Sequence, residues 1–179
     1  MCYAVKRWGL VGLVCFCAFA VMSNALGQEC KRCSKGEVNI PISLAIGTIR
    51  TPVFTSSANA YSISLEFRRS SLSEEELQCK VGRLDAAEDA DKVAEKCKVQ
   101  PLIDVKWRVL EGDEEIAHGS DGGFSEHIEL DNKIVHRYIG EFSCESKHKY
   151  VVEVTFTKDG SPLKIANPHL AVMPPGDSF

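Results

Sequence analysis

The chain has 179 residues, 44% hydrophobic and 26% charged, with 21 basic against 25 acidic side chains and a formal charge of −4. That length suits one domain with a sizeable core. The acidic excess works against nucleic-acid binding, which draws on clustered Lys and Arg to neutralise phosphates.

The chain opens on an export pattern. Lys6 and Arg7 precede an uncharged apolar stretch from Trp8 to Met22, and Ser23, Asn24 and Ala25 follow it. This stretch is shorter than the roughly 20 apolar residues that a membrane-spanning helix needs, so cleavage is expected and no membrane span after it. Ala25-Leu26-Gly27 and Ser23-Asn24-Ala25 both supply the small side chains that signal peptidase requires. Cleavage before Gln28 is the preferred reading and cleavage before Leu26 the other. The predicted organisation is a signal peptide over 1–27, a tail over 28–36 and a single domain over 37–173. A helical insertion covers 71–98, and a short tail follows over 174–179. The presequence holds two basic and no acidic residues, so the remainder has 19 basic against 25 acidic residues and a charge of −6.

Loss of the presequence removes Cys2, Cys15 and Cys17 and leaves Cys30, Cys33, Cys79, Cys97 and Cys144. In an oxidising compartment disulfides are the default for such residues, and an odd number leaves one thiol free or paired between molecules. Cys30-Lys31-Arg32-Cys33 has the spacing and flanking cations of a redox pair. No strand precedes it to carry such a pair into a helix, so a structural disulfide or tether is expected. A zinc reading lacks four ligands at recognisable spacing.

From Val38 onward the dominant signal is alternation of apolar and polar residues, the period of a strand with one buried face. It is clearest at Tyr61, Ile63, Leu65 and Phe67, where Ser62, Ser64 and Glu66 make up a wet face. It recurs at Ile103, Val105, Trp107 and Val109, and again at Tyr150, Val152, Val154 and Phe156. These three segments are the predicted core strands. Weaker strands are expected over Val38–Ile46, Ile49–Phe54, Glu115–His118, Phe124–Leu130, Ile134–Phe142 and His169–Met173. Turn chemistry separates them at Glu111-Gly112-Asp113, Asp121-Gly122-Gly123, Asp131-Asn132, Asp159-Gly160-Ser161-Pro162 and Pro174-Pro175-Gly176.

Residues 71–98 break this pattern. They are rich in Glu, Ala, Lys and Leu, carry a capping box at Ser73 and Glu76, and meet a helix stop at Gly82. A second helix is predicted from Ala86 to Cys97. Cys79 and Cys97 would then sit on two helices joined by a turn, which makes them the first predicted disulfide. The whole predicts a mainly β chain: an immunoglobulin-like antiparallel β-sandwich with a two-helix insertion between core strands, and Trp107 as an inter-sheet core residue.

The succession Tyr61 to Phe67, the helical excursion, Pro101 to Trp107, Tyr150 to Val154 and Asp159 to Leu163 resembles an uncharacterised family of bacterial exported and lipoprotein-type domains. The likeness covers roughly Val38 to Met173. It implies a β-sandwich outside the inner membrane and carries over no catalytic residue. The chain departs from lipoprotein members in lacking a Cys in a lipid-attachment context.

His118-Gly119-Ser120-Asp121 holds the residue types of nucleophilic catalysis, but triad members converge from separate parts of a fold, and Gly-Ser-Asp-Gly-Gly reads as a turn. His127, His136, His148 and His169 would make a metal site only if folding gathered them, and each is expected to face solvent singly. Glu74, Glu75, Glu76, Asp85, Glu88, Asp89 and Asp91 match no calcium-binding loop and read as solvated helix faces. Arg137 with Lys147, His148 and Lys149 reads as a hairpin tip rather than an anion site. No catalytic residue, metal or cofactor is therefore assigned.

The expected function is that of an exported, periplasmic or secreted, non-enzymatic binding domain with a protein partner. Its contacts would lie at the Gly119–Gly123 and Glu145–Lys149 loops and the helical excursion. The alternatives are a periplasmic immunity or inhibitor protein, and a thiol-disulfide or hydrolytic enzyme.

Overall fold

A computed structural model describes residues 36–68, 72–83, 90–98, 100–125, 128–130 and 134–175. The predicted presequence, Cys30, Cys33, His127, the Asp131-Asn132 turn and the predicted start of the second helix lie outside these residues.

In chain order the strands are β1 Val38–Pro41, β2 Gly47–Arg50, β3 Phe54–Thr55, β4 Ala60–Arg68, β5 Asp104–Glu111, β6 Glu114–Gly122, β7 Ile128–Leu130, β8 Ile134–Ser143, β9 Lys149–Phe156 and β10 His169–Met173. Helices α1 Glu74–Val81 and α2 Ala90–Cys97 lie between β4 and β5. One sheet has the order β1-β10-β4-β8-β7. The other has β2-β9-β5-β6, with β3 also on β9. Every strand pairing is antiparallel.

The three strongest alternating segments become β4, β5 and β9. Tyr61, Ile63, Leu65 and Phe67 from one sheet pack against Val105, Trp107, Val109, Val152, Val154 and Phe156 from the other. Their burial drives the two sheets together, at about 1.5–3 kcal/mol for each large side chain. In immunoglobulin lettering, β4, β8 and β7 stand where B, E and D would, and β6, β5 and β9 where C′, C and F would. The departures are at the edges, where β10 pairs with β4 and β2 and β3 flank β9.

Two further features match that architecture. Trp107 lies on β5, the C position, 8% exposed. Its indole occupies the space that a side chain on Gly119 of β6 or Gly140 of β8 would need. Tyr150, at the start of β9, accepts a hydrogen bond from the Glu145 amide at 3.0 Å and reaches back to the Glu145 carbonyl at 3.4 Å. That is the geometry of the tyrosine corner between strands E and F. Neither β4 nor β9 contains Cys, so apolar packing stands in place of the antibody disulfide.

The helical excursion forms for local reasons. The Ser73 hydroxyl accepts from the Glu76 amide at 3.1 Å, and Glu74, Glu75 and Glu76 complement the positive end of the helix. Gly82, at φ +87°, ends α1 in the left-handed region, with its amide on the Gln78 carbonyl at 2.8 Å. Leu77 and Val81 face the core, and a Cys79–Cys97 disulfide ties α1 to α2.

Several expectations are corrected. The predicted Ile49–Phe54 strand is broken into β2 and β3, because Pro52 has no amide to continue the ladder. Strand β1 ends at Pro41 rather than Ile46. Residues Gly119 to Gly122, expected in a loop, continue β6, paired from Asp104↔Gly122 to Trp107↔Gly119. Among the described residues of the predicted Phe124–Leu130 strand, Ile128–Leu130 is a strand, while Ser125 bridges to Arg83. The Lys147 to Lys149 segment is no hairpin tip, since it carries the chain from β8 in one sheet to β9 in the other. The Asp159–Pro162 turn opens into a 3-10 helix, Ser161–Ala166.

Candidate functional site

The face of the first sheet that points away from the core carries a polar row. Strand register places His169 of β10 opposite Glu66 of β4, and Glu66 opposite His136 of β8. Glu66 is 6% exposed and His136 8% exposed, while His169 is half-buried. Ser64 and Ala171, one position along, are buried as well. This corrects two expectations: the polar side of β4 is not a wet face, and His136 is not a lone solvent-facing histidine.

Removing a carboxylate from water is costly unless it is paired or hydrogen-bonded. Only one oxygen of Glu66 meets that condition, as Oε2 accepts from Asn39 Nδ2 at 2.9 Å. Oε1 is buried with no hydrogen-bond partner among the described residues. Its neighbour is Nδ1 of His136 at 3.7 Å, beyond hydrogen-bond range. The His169 ring faces the Asn167 carbonyl through Nδ1 at 2.9 Å, which leaves Nε2 as its free nitrogen.

The His118-Gly119-Ser120-Asp121 segment cannot act as a unit. Successive residues of a strand face opposite ways, so His118 and Ser120 point outward while Gly119 and Asp121 point between the sheets. His118 instead ends a charged ladder across the second sheet. Arg50 meets Glu153 at 3.7 Å, Glu153 meets Arg108 at 2.8 Å, Arg108 meets Glu115 at 3.7 Å, and Glu115 meets His118 at 2.9 Å. Hydrogen bonding to Glu153 is the main cause that holds the Arg108 guanidinium protonated above its ordinary range.

Asp121 pairs with Arg137, whose side chain is fully buried, at 2.7 Å. Arg137 also donates to the Val81 carbonyl at the end of α1 and to the Gly123 carbonyl at 3.0 Å. It joins both sheets to the helical excursion and is no part of a cationic surface patch. Sequence reading missed both roles: Glu66 stands at a polar position of an alternating strand, and Arg137 takes a core-facing position of β8, opposite Leu65. Only strand register shows what encloses them.

At the β8–β9 corner His148 contacts Glu111 at 2.6 Å and Glu145 at 3.3 Å. The hydrogen bond to Glu111 is the main cause raising its pKa. Cys144 is a free, half-buried thiol that points at the Ala58 carbonyl at 3.3 Å, and burial pushes its pKa up. A raised pKa lowers the thiolate fraction, so this is a poor nucleophile.

Strand β6 is the edge of the second sheet. It runs for nine residues with alternating exposure, and it begins within an acidic tip formed by Glu111, Asp113, Glu114 and Glu115. Among the described residues no helix is long and apolar enough to cross a membrane.

These features define an immunoglobulin-like β-sandwich with a disulfide-tied helical insertion, one polar row on an outer sheet face and one long edge strand. No protein-family model matches the chain. A crystal structure of a protein from Sulfurospirillum deleyianum is similar in fold, with a TM-score of 0.52 over 76% of this chain and 96% of that one, at 13% identity. The probable pyridoxal 5'-phosphate synthase subunit pdx2 of Dictyostelium discoideum is 40% identical over 57 residues. That match spans 32% of this chain and 22% of the Dictyostelium protein.

Proposed function

We propose that the chain is an exported, non-enzymatic domain that binds a protein partner along the β6 edge. The observation that carries this is the nine-residue edge strand Glu114–Gly122, paired among the described residues on one side only, to β5. An edge presents backbone donors and acceptors on which an extended segment of a partner adds as a further strand. The acidic residues at its start favour a partner segment rich in Lys or Arg. A basic toxin or hydrolase would meet the same requirement, and this supports the inhibitor or immunity reading as the second choice. The separation of His118 and Ser120 from Asp121 weighs against a hydrolytic role for that segment.

The test is capture of partners from the compartment to which the chain is exported, with the disulfide intact, followed by amide hydrogen exchange on the complex. Added protection is expected over Glu114 to Gly122. Recovery of a partner that protects only other strands would reject the edge, and failure to recover any partner would reject the binding role.

A further inference from the structure

The geometry points to a zinc site formed by Glu66, His136 and His169 on the outer face of the first sheet. Three side chains from adjacent strands share one row there, and they supply two imidazole nitrogens and a carboxylate oxygen. That donor set suits a borderline divalent cation and leaves a fourth position open.

The distances favour an ion over a direct contact. Glu66 Oε1 and His136 Nδ1 are 3.7 Å apart, too far for a hydrogen bond. Two ligands on one tetrahedral zinc, each at its usual bond length, stand about 3.4 Å apart. A cation between them would satisfy the buried Oε1, which has no hydrogen-bond partner among the described residues. Two of the three side chains also have supporting contacts of the kind that zinc ligands use. Asn39 holds the other Glu66 oxygen, and the Asn167 carbonyl engages His169 Nδ1 and leaves Nε2 for the metal.

Among the described residues no three such donors already stand at coordinating distance. Glu66 and His136 are the preset pair, and the half-buried His169 ring completes the site by moving toward them.

The experiment is calorimetric titration of Zn2+ into the disulfide-intact chain after chelator treatment. One ion per chain is expected. Glu66→Gln and His169→Ala should each weaken binding by about tenfold or more, while His148→Ala, which alters the exposed Glu111–Glu145 cluster, leaves it unchanged. Co2+ in place of Zn2+ gives a second readout, a visible absorption band that disappears in His169→Ala. Should Glu66→Gln fail to fold, His169→Ala carries the test, since it alters only a half-buried ring. Absence of stoichiometric binding, unchanged affinity in His169→Ala, or loss of binding in His148→Ala would each overturn the assignment.

Discussion

Trp107 shows how much one side chain demands of distant residues. Its indole fills the space above Gly119 on the neighbouring strand and Gly140 on the opposite sheet. A methyl group at either position overlaps the ring, and a packed core does not yield freely. Gly140→Ala should therefore cost about 1–3 kcal/mol, read from the urea midpoint. Adding Trp107→Phe should recover part of the loss, because the two residues share one space. His148 makes a different prediction. Its hydrogen bond to Glu111 raises the folded pKa, so its contribution to stability is complete below the unfolded value of about 6.5. That contribution is lost as pH rises through the folded value. His148→Gln should thus differ from the parent in unfolding below pH 6.5 and converge with it at higher pH, and an NMR titration of the ring should show the raised pKa.

At the scale of elements, α1 was legible from local chemistry alone. Ser73 and Gly82 perform the predicted roles because capping involves neighbours within one turn, while the Glu76 carboxylate turns to Lys80 at 2.6 Å instead of closing the box. Ser73→Ala should cost about 1 kcal/mol. The Cys79–Cys97 pair was legible for the same reason, being 18 residues apart on two adjacent helices. Replacing both cysteines with Ala should cost about 3 kcal/mol in the chain-entropy model, a larger loss than that of the cap, with both measured by thermal unfolding. Strand limits were less legible. Alternation marked β4, β5 and β9 correctly, whereas Gly119 to Gly122 read as a turn although β5 pairs them into β6. Gly and Asp favour turns in isolation, and here the neighbouring strand overrides that preference.

At the scale of the molecule, Arg137 links β8, β6 and the end of α1 in a single buried cluster. Arg137→Met would leave Asp121 unpaired and two carbonyls without their donor. The expected loss is about 3–5 kcal/mol, measured by chemical denaturation. Arg137→Met with Asp121→Leu should restore much of it, since no buried charge then remains. If the double variant is as unstable as the single, the ion pair is not what makes Arg137 indispensable.

The sequence by itself determined the β-sandwich class, the position of the helical insertion, its cap and stop, and its disulfide. All of these depend on periodicity or on residues close in the chain. Only the tertiary structure decided that Glu66, His136 and His169 share a row, that Arg137 reaches Asp121, and that Tyr150 closes a corner. The first joins strands far apart in sequence, where register selects which polar side chains meet, and the second crosses from one sheet to the other, where packing of the two sheets selects the pair. The Tyr150 contact spans only five residues, but nothing in the alternation of β9 distinguishes a tyrosine that turns back to the corner from one that merely fills the core.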